Sequence, residues 1–178
     1  LRWLGFLHVE TIRNIPLLVH MLFWYFGAPE FYPEAFKDWL AHHDIEAVSA
    51  TIALTLYFSA YMAEDIRSGI RAVPQVQFEA GRALGFGFLA TMRLVILPQA
   101  LRKTVPPLIS QTLNVWKGTS VATVIGVGEL MYRAAQVESG TFRSFEAFVF
   151  VTVSYLAVSL FITAAAVWFQ HRYPVRSL

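Results

Sequence analysis

Uncharged apolar runs alternate with short polar stretches along this chain, and the lengths of those runs decide its class of fold. Ala147 to Phe169 is about 23 residues without a charge, enough for one helix to cross a bilayer core with some tilt. Trp168 and Tyr173 stand where interfacial aromatics belong. Ala47 to Ala63 is about 17 uncharged residues between Glu46 and Glu64; it is at the short end of the spanning range and is expected to continue as a helix past Glu64, to Ile66. Two further runs are interrupted: Trp3 to Phe26 holds Glu10 and Arg13, and Thr104 to Gly128 holds Lys117. A barrel is disfavoured, because its strands are about ten residues of strict alternation and these runs are longer and uniformly apolar. The pattern predicts an all-α integral membrane protein, a polytopic helical bundle with four spans and no internal repeat, low-complexity segment or linker.

Composition strengthens this reading. The 178 residues are 56% hydrophobic and 15% charged, against about 45–50% and about 25% in soluble domains. That length suits a single transmembrane domain over residues 1–178, without a second folded unit. The absence of cysteine excludes disulfides and thiol chemistry. The chain opens on Leu1 instead of Met, so it is read as a fragment or processed chain whose beginning, with room for another span, is missing; no signal peptide is visible.

Charge then orients the spans. The net charge is +2, but the basic residues are dispersed, with no cluster of the kind that tracks phosphates, so nucleic acid is not an expected partner. Arg67, Arg71, Arg82, Arg93, Arg102 and Lys103 outnumber Glu64, Asp65 and Glu79, whereas Glu30 to Glu46 holds five acids against Lys37. Cytoplasmic loops retain Lys and Arg, which places the loop around Glu79 in the cytoplasm and the Glu30 to Glu46 loop on the far side. Trp3 to Phe26 then runs outward, Ala47 to Ile66 inward, Thr104 to Gly128 outward and Ala147 to Phe169 inward. The tail with His171, Arg172 and Arg176 is therefore cytoplasmic.

Residues 67–103 form the cytoplasmic loop. Pro74 suits the first turn of a helix and Gly85 the left-handed residue just past its end, predicting a short helix between them with Glu79, Arg82 and Ala83 on one face. Gly81 inside it costs roughly 1 kcal/mol relative to alanine, which points to a close backbone approach or a tolerated weakness. Gly81 and Gly85 also spell a Gly-xxx-Gly, read here as packing or capping because Arg82 lies between them. Pro98 restarts the chain toward the next span.

Glu79-Ala80-Gly81, three residues, Gly85, nine residues, then Val95-Ile96-Leu97-Pro98 resembles the EAA loop of ABC importer permeases. That family's pattern has Ala at Gly81 and Ile at Val95, both mild departures. Arg13-Asn14-Ile15-Pro16-Leu17-Leu18-Val19, Ala60-Tyr61-Met62-Ala63-Glu64, Asn114-Val115-Trp116-Lys117-Gly118-Thr119-Ser120 and Ile125-Gly126-Val127-Gly128-Glu129-Leu130 extend the resemblance over nearly the whole chain, to the polar amino-acid branch. Thr141 to Phe148 looks most like the glutamate/aspartate permeases.

The resemblance implies the type I importer fold, about five spans in a complete subunit, in the bacterial cell (inner) membrane. It implies pairing with an identical or different second permease, two cytoplasmic ATPase subunits, an extracytoplasmic solute-binding protein and an amino-acid substrate. No cofactor would bind this chain; ATP and Mg would sit on the partner ATPase. Glu79, Ala80, Gly81 and Gly85 would form the coupling helix in a groove of the ATPase, and Leu97 and Pro98 would fix its exit. An ordinary amphipathic loop helix is the plainer alternative, although interfacial helices carry a broader apolar face.

The intramembrane charges are the candidates for a substrate path, because each costs at least roughly 2.5 kcal/mol and such groups face protein or a wet cavity. Glu10 and Arg13 can pair at i and i+3, with Asn14 extending the face, and Pro16 removes a backbone donor just beyond. An opened turn of this kind can hold a charged solute, so Arg13 is the first candidate for a substrate carboxylate, with a purely structural Glu10–Arg13 pair the alternative. Lys117, followed by Gly118, Thr119 and Ser120, suggests a weakened helix lining the path, or a lysine that snorkels or pairs with the second subunit. Asn114 lies one turn earlier. Glu129 either gates the outer mouth or marks an interface.

His42 and His43 are adjacent and cannot face one site from a regular helix, and His8, His20 and His171 lack ligand companions, so no metal is expected. Lys117-Gly118-Thr119 echoes a phosphate-binding loop but lacks its first glycine. No nucleophile elbow or zinc-protease helix is present, which disfavours an enzyme. A channel or secondary carrier using Glu10, Arg13 and Lys117 remains the alternative to an ATP-driven importer.

Overall fold

The computed structural model describes residues 2–172, so Tyr173 and Arg176, placed above at the interface and in the tail, lie outside the described residues. Among these residues all regular structure is helical. The first apolar run is not one helix. Helix α1 (Arg2–Arg13) stops before Pro16, which has no N–H to continue the ladder, and α2 (Leu17–Leu22) restarts behind it with Pro16 at its N-cap. A π-helical turn (Phe23–Gly27) and a 3-10 turn (Ala28–Phe31) lead to α3 (Glu34–Ala41) in the acidic stretch.

Helix α4 (Ile45–Arg71) is capped by Asp44, whose Oδ1 accepts from the Ala47 N–H at 2.9 Å. It continues past Glu64 to Arg71, because no proline or glycine pair interrupts it. Then come α5 (Gln75–Ala83), α6 (Phe88–Thr91), a π-helical turn (Met92–Ile96) and α7 (Leu97–Gly118), with Pro98 in its first turn and Pro106 and Pro107 inside. The run expected from Thr104 to Gly128 is therefore also divided. Its helix starts earlier, at Leu97, loses α-helical geometry after Gly118, and tightens into a 3-10 stretch (Thr119–Ile125) that ends at Gly126 with φ +92°. Helices α8 (Leu130–Thr141) and α9 (Ser144–Arg172) complete the chain. Only α4 and α9, among the described residues, are long and apolar enough to cross a membrane by themselves.

The bundle is organised around α4, which packs on α1, α2 and α7. One core gathers Met21, Ala50, Ala53, Ala122 and Ile125; a second, at the other end of α4, gathers Val73, Ile96 and Ala100. Gly69 lets α4 and α7 touch: a Cβ there would collide with the Thr104 hydroxyl and lie 3.3 Å from the Ala100 carbonyl, the small-residue contact on which helix pairs in lipid depend. Lys103 closes the end of α4 by donating to the Ala72 carbonyl at 2.6 Å. Leu156, Leu160, Phe161 and Trp168 of α9 face outward, as suits a helix whose surroundings are apolar. His42 and His43 donate Nδ1–H to their own i−4 carbonyls, of Asp38 and Trp39, at 2.7 Å each.

Candidate functional site

The break at Pro16 brings Arg13 to α4. Its guanidinium is 3.7 Å from Glu64 Oε2 and 5.3 Å from the centre of the Tyr61 ring. Arg67 reaches the same carboxylate oxygen through Nε at 2.8 Å and through Nη2, so one carboxylate serves two arginines. The pairing of Glu10 with Arg13 is thus replaced by one with Glu64. An i, i+3 pair on one helix contributes only about 0.2–0.5 kcal/mol, and a cross-helix carboxylate with an aromatic face beside it offers more. Asn14 instead donates to the Glu10 carbonyl at 2.6 Å, and Tyr61 OH donates to the Arg13 carbonyl at 3.4 Å.

Beside this cluster lies a cavity of about 260 Å³, lined by Leu17, Tyr57, Phe58, Tyr61, Gln111, Asn114 and Gly118. Its size, just under the range of drug-binding pockets, suits a small solute. Tyr57 and Tyr61 share a hydrogen bond at 3.2 Å, and Asn114 Nδ2 donates to Gln111 Oε1 at 3.1 Å, so hydroxyl and amide groups with further bonding capacity line a space between largely apolar helices. Gly118 keeps that wall thin, since a Cβ there would lie 2.8 Å from the Phe58 ring.

Of the sequence candidates, Asn114 lines the cavity, Pro16 makes the break, and Arg13 stands at its edge through Tyr61. Glu10 is half-buried and Lys117 exposed, and neither lines the cavity. Thr119 and Ser120 satisfy carbonyls at the loosened end of α7, donating to Trp116 and Lys117 at 2.7 Å each. Tyr57 and Gln111 are additions from the structure. Their signal was available in the i, i+4 pair Tyr57/Tyr61 and the i, i+3 pair Gln111/Asn114, but polar spots in apolar helices do not say which faces meet.

The second feature is α5. Pro74 is its N-cap and Gly85, with φ +82°, ends it. The Gly85 N–H donates to the Arg82 carbonyl at 2.9 Å and the Phe86 N–H to the Gly81 carbonyl at 3.1 Å, the paired bonds of a Schellman ending. Gln77, Phe78 and Gly81 face inward: Gln99 Nε2 donates to Gln77 Oε1 at 3.3 Å, and Phe78 meets Phe88 edge-tilted at 5.8 Å. A Cβ on Gly81 would lie 2.6 Å from Thr91 Cγ2. Gly81 is therefore a close-approach glycine. Glu79, Ala80, Arg82 and Ala83 remain exposed on the outer face, and Leu97 and Pro98 open α7 behind them.

Residues 1–174 match the family described as binding-protein-dependent transport system inner membrane component. The chain belongs to this family of transport permeases. It is 41% identical over 161 residues to the probable glutamine ABC transporter permease protein GlnM of Bacillus subtilis (strain 168), covering 90% of this chain and 70% of that one. It is 32% identical over 163 residues to the glutamate/aspartate import permease protein GltJ of Escherichia coli (strain K12), covering 89% and 66%. Among solved structures, the crystal structure of an amino acid ABC transporter with histidines superposes with a TM-score of 0.82 at 33% identity, over 93% of this chain and 73% of that chain. The resemblance carried by Glu79 to Pro98 and the four other motifs is confirmed.

In this permease Glu129 holds a joint together. It is the N-cap of α8, accepting from the N–H groups of Met131 and Tyr132 at 2.8 Å each, from the Thr123 hydroxyl, and from Tyr155 OH at 3.1 Å. One carboxylate thus ties the 3-10 stretch, α8 and α9, which favours the structural reading of this residue. Removing such a cap costs about 1 kcal/mol, and the two hydroxyls lose their partner as well. Glu129→Ala is expected to lower the thermal unfolding midpoint of the purified permease complex, and Glu129→Gln to lower it less; equal midpoints for all three proteins would contradict the joint.

Proposed function

We propose that the chain forms half of the translocation pathway of an ATP-driven importer for a polar amino acid, breaks no bond itself, and is driven through α5. One observation carries this reading: α5 is mounted on α6 through Gly81 and Phe78 and on the start of α7 through Gln77 and Gln99, and α4 and α7 supply six of the seven cavity-lining residues. Force applied to the exposed face of α5 therefore reaches the cavity walls. Residues 67–103 form the cytoplasmic loop in this scheme, the chain makes four crossings with its C-terminus in the cytoplasm, and Leu97 and Pro98 fix the exit of the loop.

Of two ATPase subunits holding ATP and Mg, one would grip α5 by its exposed Glu79 and Ala80, while Gly81 seats the helix on the fold and Gly85 ends it. A second permease would complete the path, and an extracytoplasmic binding protein would deliver the solute. ATP and the loaded binding protein must each prefer the outward-open state, because a ligand with equal affinity for both states shifts nothing. The substrate class is supported by the amide- and hydroxyl-lined cavity, by the Arg13 guanidinium beside it as a carboxylate partner, and by relatives named for glutamine and for glutamate/aspartate. Pro16, Asn114, Thr119 and Ser120 shape this path from the two loosened helices, whereas Glu10, Asn14, Lys117 and Glu129 stand outside the cavity lining.

Glu79→Lys tests the lever, since Glu79 is exposed. In proteoliposomes holding the complete complex, the subunit should remain inserted while ATP hydrolysis stimulated by loaded binding protein, and uptake, fall about fivefold, the equivalent of ~1 kcal/mol of lost docking. Undiminished stimulation would remove the coupling assignment.

A further inference from the structure

Pro16 takes away the backbone donor that a continuous helix would present to the Ile12 carbonyl, and the side chain that stands in for it is His20. Its Nε2 lies 3.2 Å from the Ile12 oxygen, and since a carbonyl only accepts, Nε2 carries the proton. The other donor on that oxygen is the Ile15 N–H at 3.3 Å. His20 is buried, 5% exposed, and meets Tyr57 edge-on at 5.7 Å. Tyr57 bonds Tyr61, and Tyr61 both donates to the Arg13 carbonyl and lies under the Arg13 guanidinium. The broken turn is therefore held twice, at Ile12 by His20 and at Arg13 by Tyr61, and both tethers run to the aromatic wall of the cavity. Packing alone does not explain an imidazole here, because a buried polar ring is unfavourable unless it is hydrogen-bonded, and an apolar side chain would fill the space without that demand.

We propose that His20 is a positioning residue for substrate recognition: by donating to the Ile12 carbonyl it fixes the chain at Ile12 and Arg13, and so sets where the Arg13 guanidinium stands relative to the cavity. The inference rests on the reading of that cavity as the substrate site and of Arg13 as a carboxylate partner. Without the Nε2–H donor the Ile12 carbonyl keeps only its long bond from Ile15, and the guanidinium spreads over several positions. The bundle itself remains anchored by the core around Met21, Ala50 and Ala53. The loss should therefore fall on recognition of the carboxylate and spare assembly.

The test uses the assembled complex of permease subunits and ATPases in lipid nanodiscs, without binding protein. Binding of radiolabelled L-glutamine, L-glutamate and L-arginine is measured, each against its α-carboxamide. The native complex is expected to prefer the carboxylate form of the amino acid it binds best. In His20→Phe, which keeps the ring against Tyr57 but loses both nitrogens, that preference should shrink about fivefold, the effect of one net hydrogen bond. His20→Gln, which restores an N–H at similar reach, should recover it.

An unchanged preference in His20→Phe would overturn the inference and leave the cavity reading standing. Equal weakening of carboxylate and carboxamide would also overturn it, since the effect would then not run through Arg13. If His20→Phe fails to assemble, His20→Leu takes its place; failure of both, with His20→Gln assembled or not, would assign the side chain to folding and overturn positioning. If the native complex binds none of the three amino acids, or shows no preference for the carboxylate, the reading of the cavity and Arg13 fails and the inference fails with it.

Discussion

Gly81→Val is expected to lower ATP hydrolysis stimulated by loaded binding protein at least about tenfold, with the subunit still present in the membrane. The reason is a contact only the fold reveals: a Cβ at this position would lie 2.6 Å from Thr91 Cγ2 and 3.0 Å from Thr91 Oγ1, and Thr91 is fully buried. Overpacking of this kind costs about 1–3 kcal/mol. Alanine would return about 1 kcal/mol of helix propensity against that cost, leaving a small net effect; valine adds two more carbons and returns less. Lifting α5 off α6 relieves the strain, and would move the surface that the proposed coupling offers to an ATPase. About 1.4 kcal/mol of lost docking already gives a factor of ten.

A second substitution makes the result decisive. Thr91→Ala deletes the two nearest atoms and leaves the Thr91 Cβ, at 3.3 Å, as the remaining close contact. Gly81→Ala should therefore be better tolerated in a Thr91→Ala background than in the native one, as a double-mutant cycle measured by thermal unfolding of the complex. Additive effects would show that the two residues do not touch.

Arg13→Ala and Glu64→Ala are expected to fail in different ways, although they remove the two ends of one ion pair. Without Arg13, Glu64 Oε2 still holds Arg67, so the subunit should insert and assemble while uptake is nearly abolished. Without Glu64, two guanidinium groups face one another with no carboxylate between them. Leaving a buried charge unpaired costs about 3–5 kcal/mol at full burial; the side chains here are 36%, 24% and 33% exposed, so solvent screening brings the cost below that range. Assembly should nonetheless fall several-fold. Arg13→Ala combined with Glu64→Ala should recover assembly and leave uptake absent, because only one cation then remains. Amounts in the membrane and uptake by the reconstituted complex measure the two effects separately. Equal assembly of Glu64→Ala and the native protein would show that the shared carboxylate does not hold the arginines.

The contrast between these residues shows what could be read in advance. Pro74 and Gly85 announced α5 because the backbone itself imposes their roles: a fixed φ with no N–H at one end, a positive φ at the other. The length of the run from Ala147 announced α9 for the same local reason. Arg13 was legible as a cation within an apolar run, but its partner was not. Glu10 was near in sequence and Glu64 is near in space, and the local pair is too weak to compete. Gly81 was legible as a close-approach or weak position; that Thr91 is what approaches was not. The breaks at Pro16 and Gly118 were legible as an opened turn and a weakened helix, yet where each helix stops depends on which donors its neighbours supply.

By itself the sequence determined the helical membrane class, the family, the short helix after α4 and the residue types available for a substrate path, because apolar run length, proline and glycine geometry and motif spacing act through the local chain. The tertiary structure alone decided that Glu64 is shared by two arginines, that Tyr57, Tyr61, Gln111 and Asn114 line one cavity, and that α5 rests on α6 and, through Gln77, on the start of α7. Those are relations between faces of different helices, and they depend on how the helices cross, which hydrophobic pattern along a single helix does not specify.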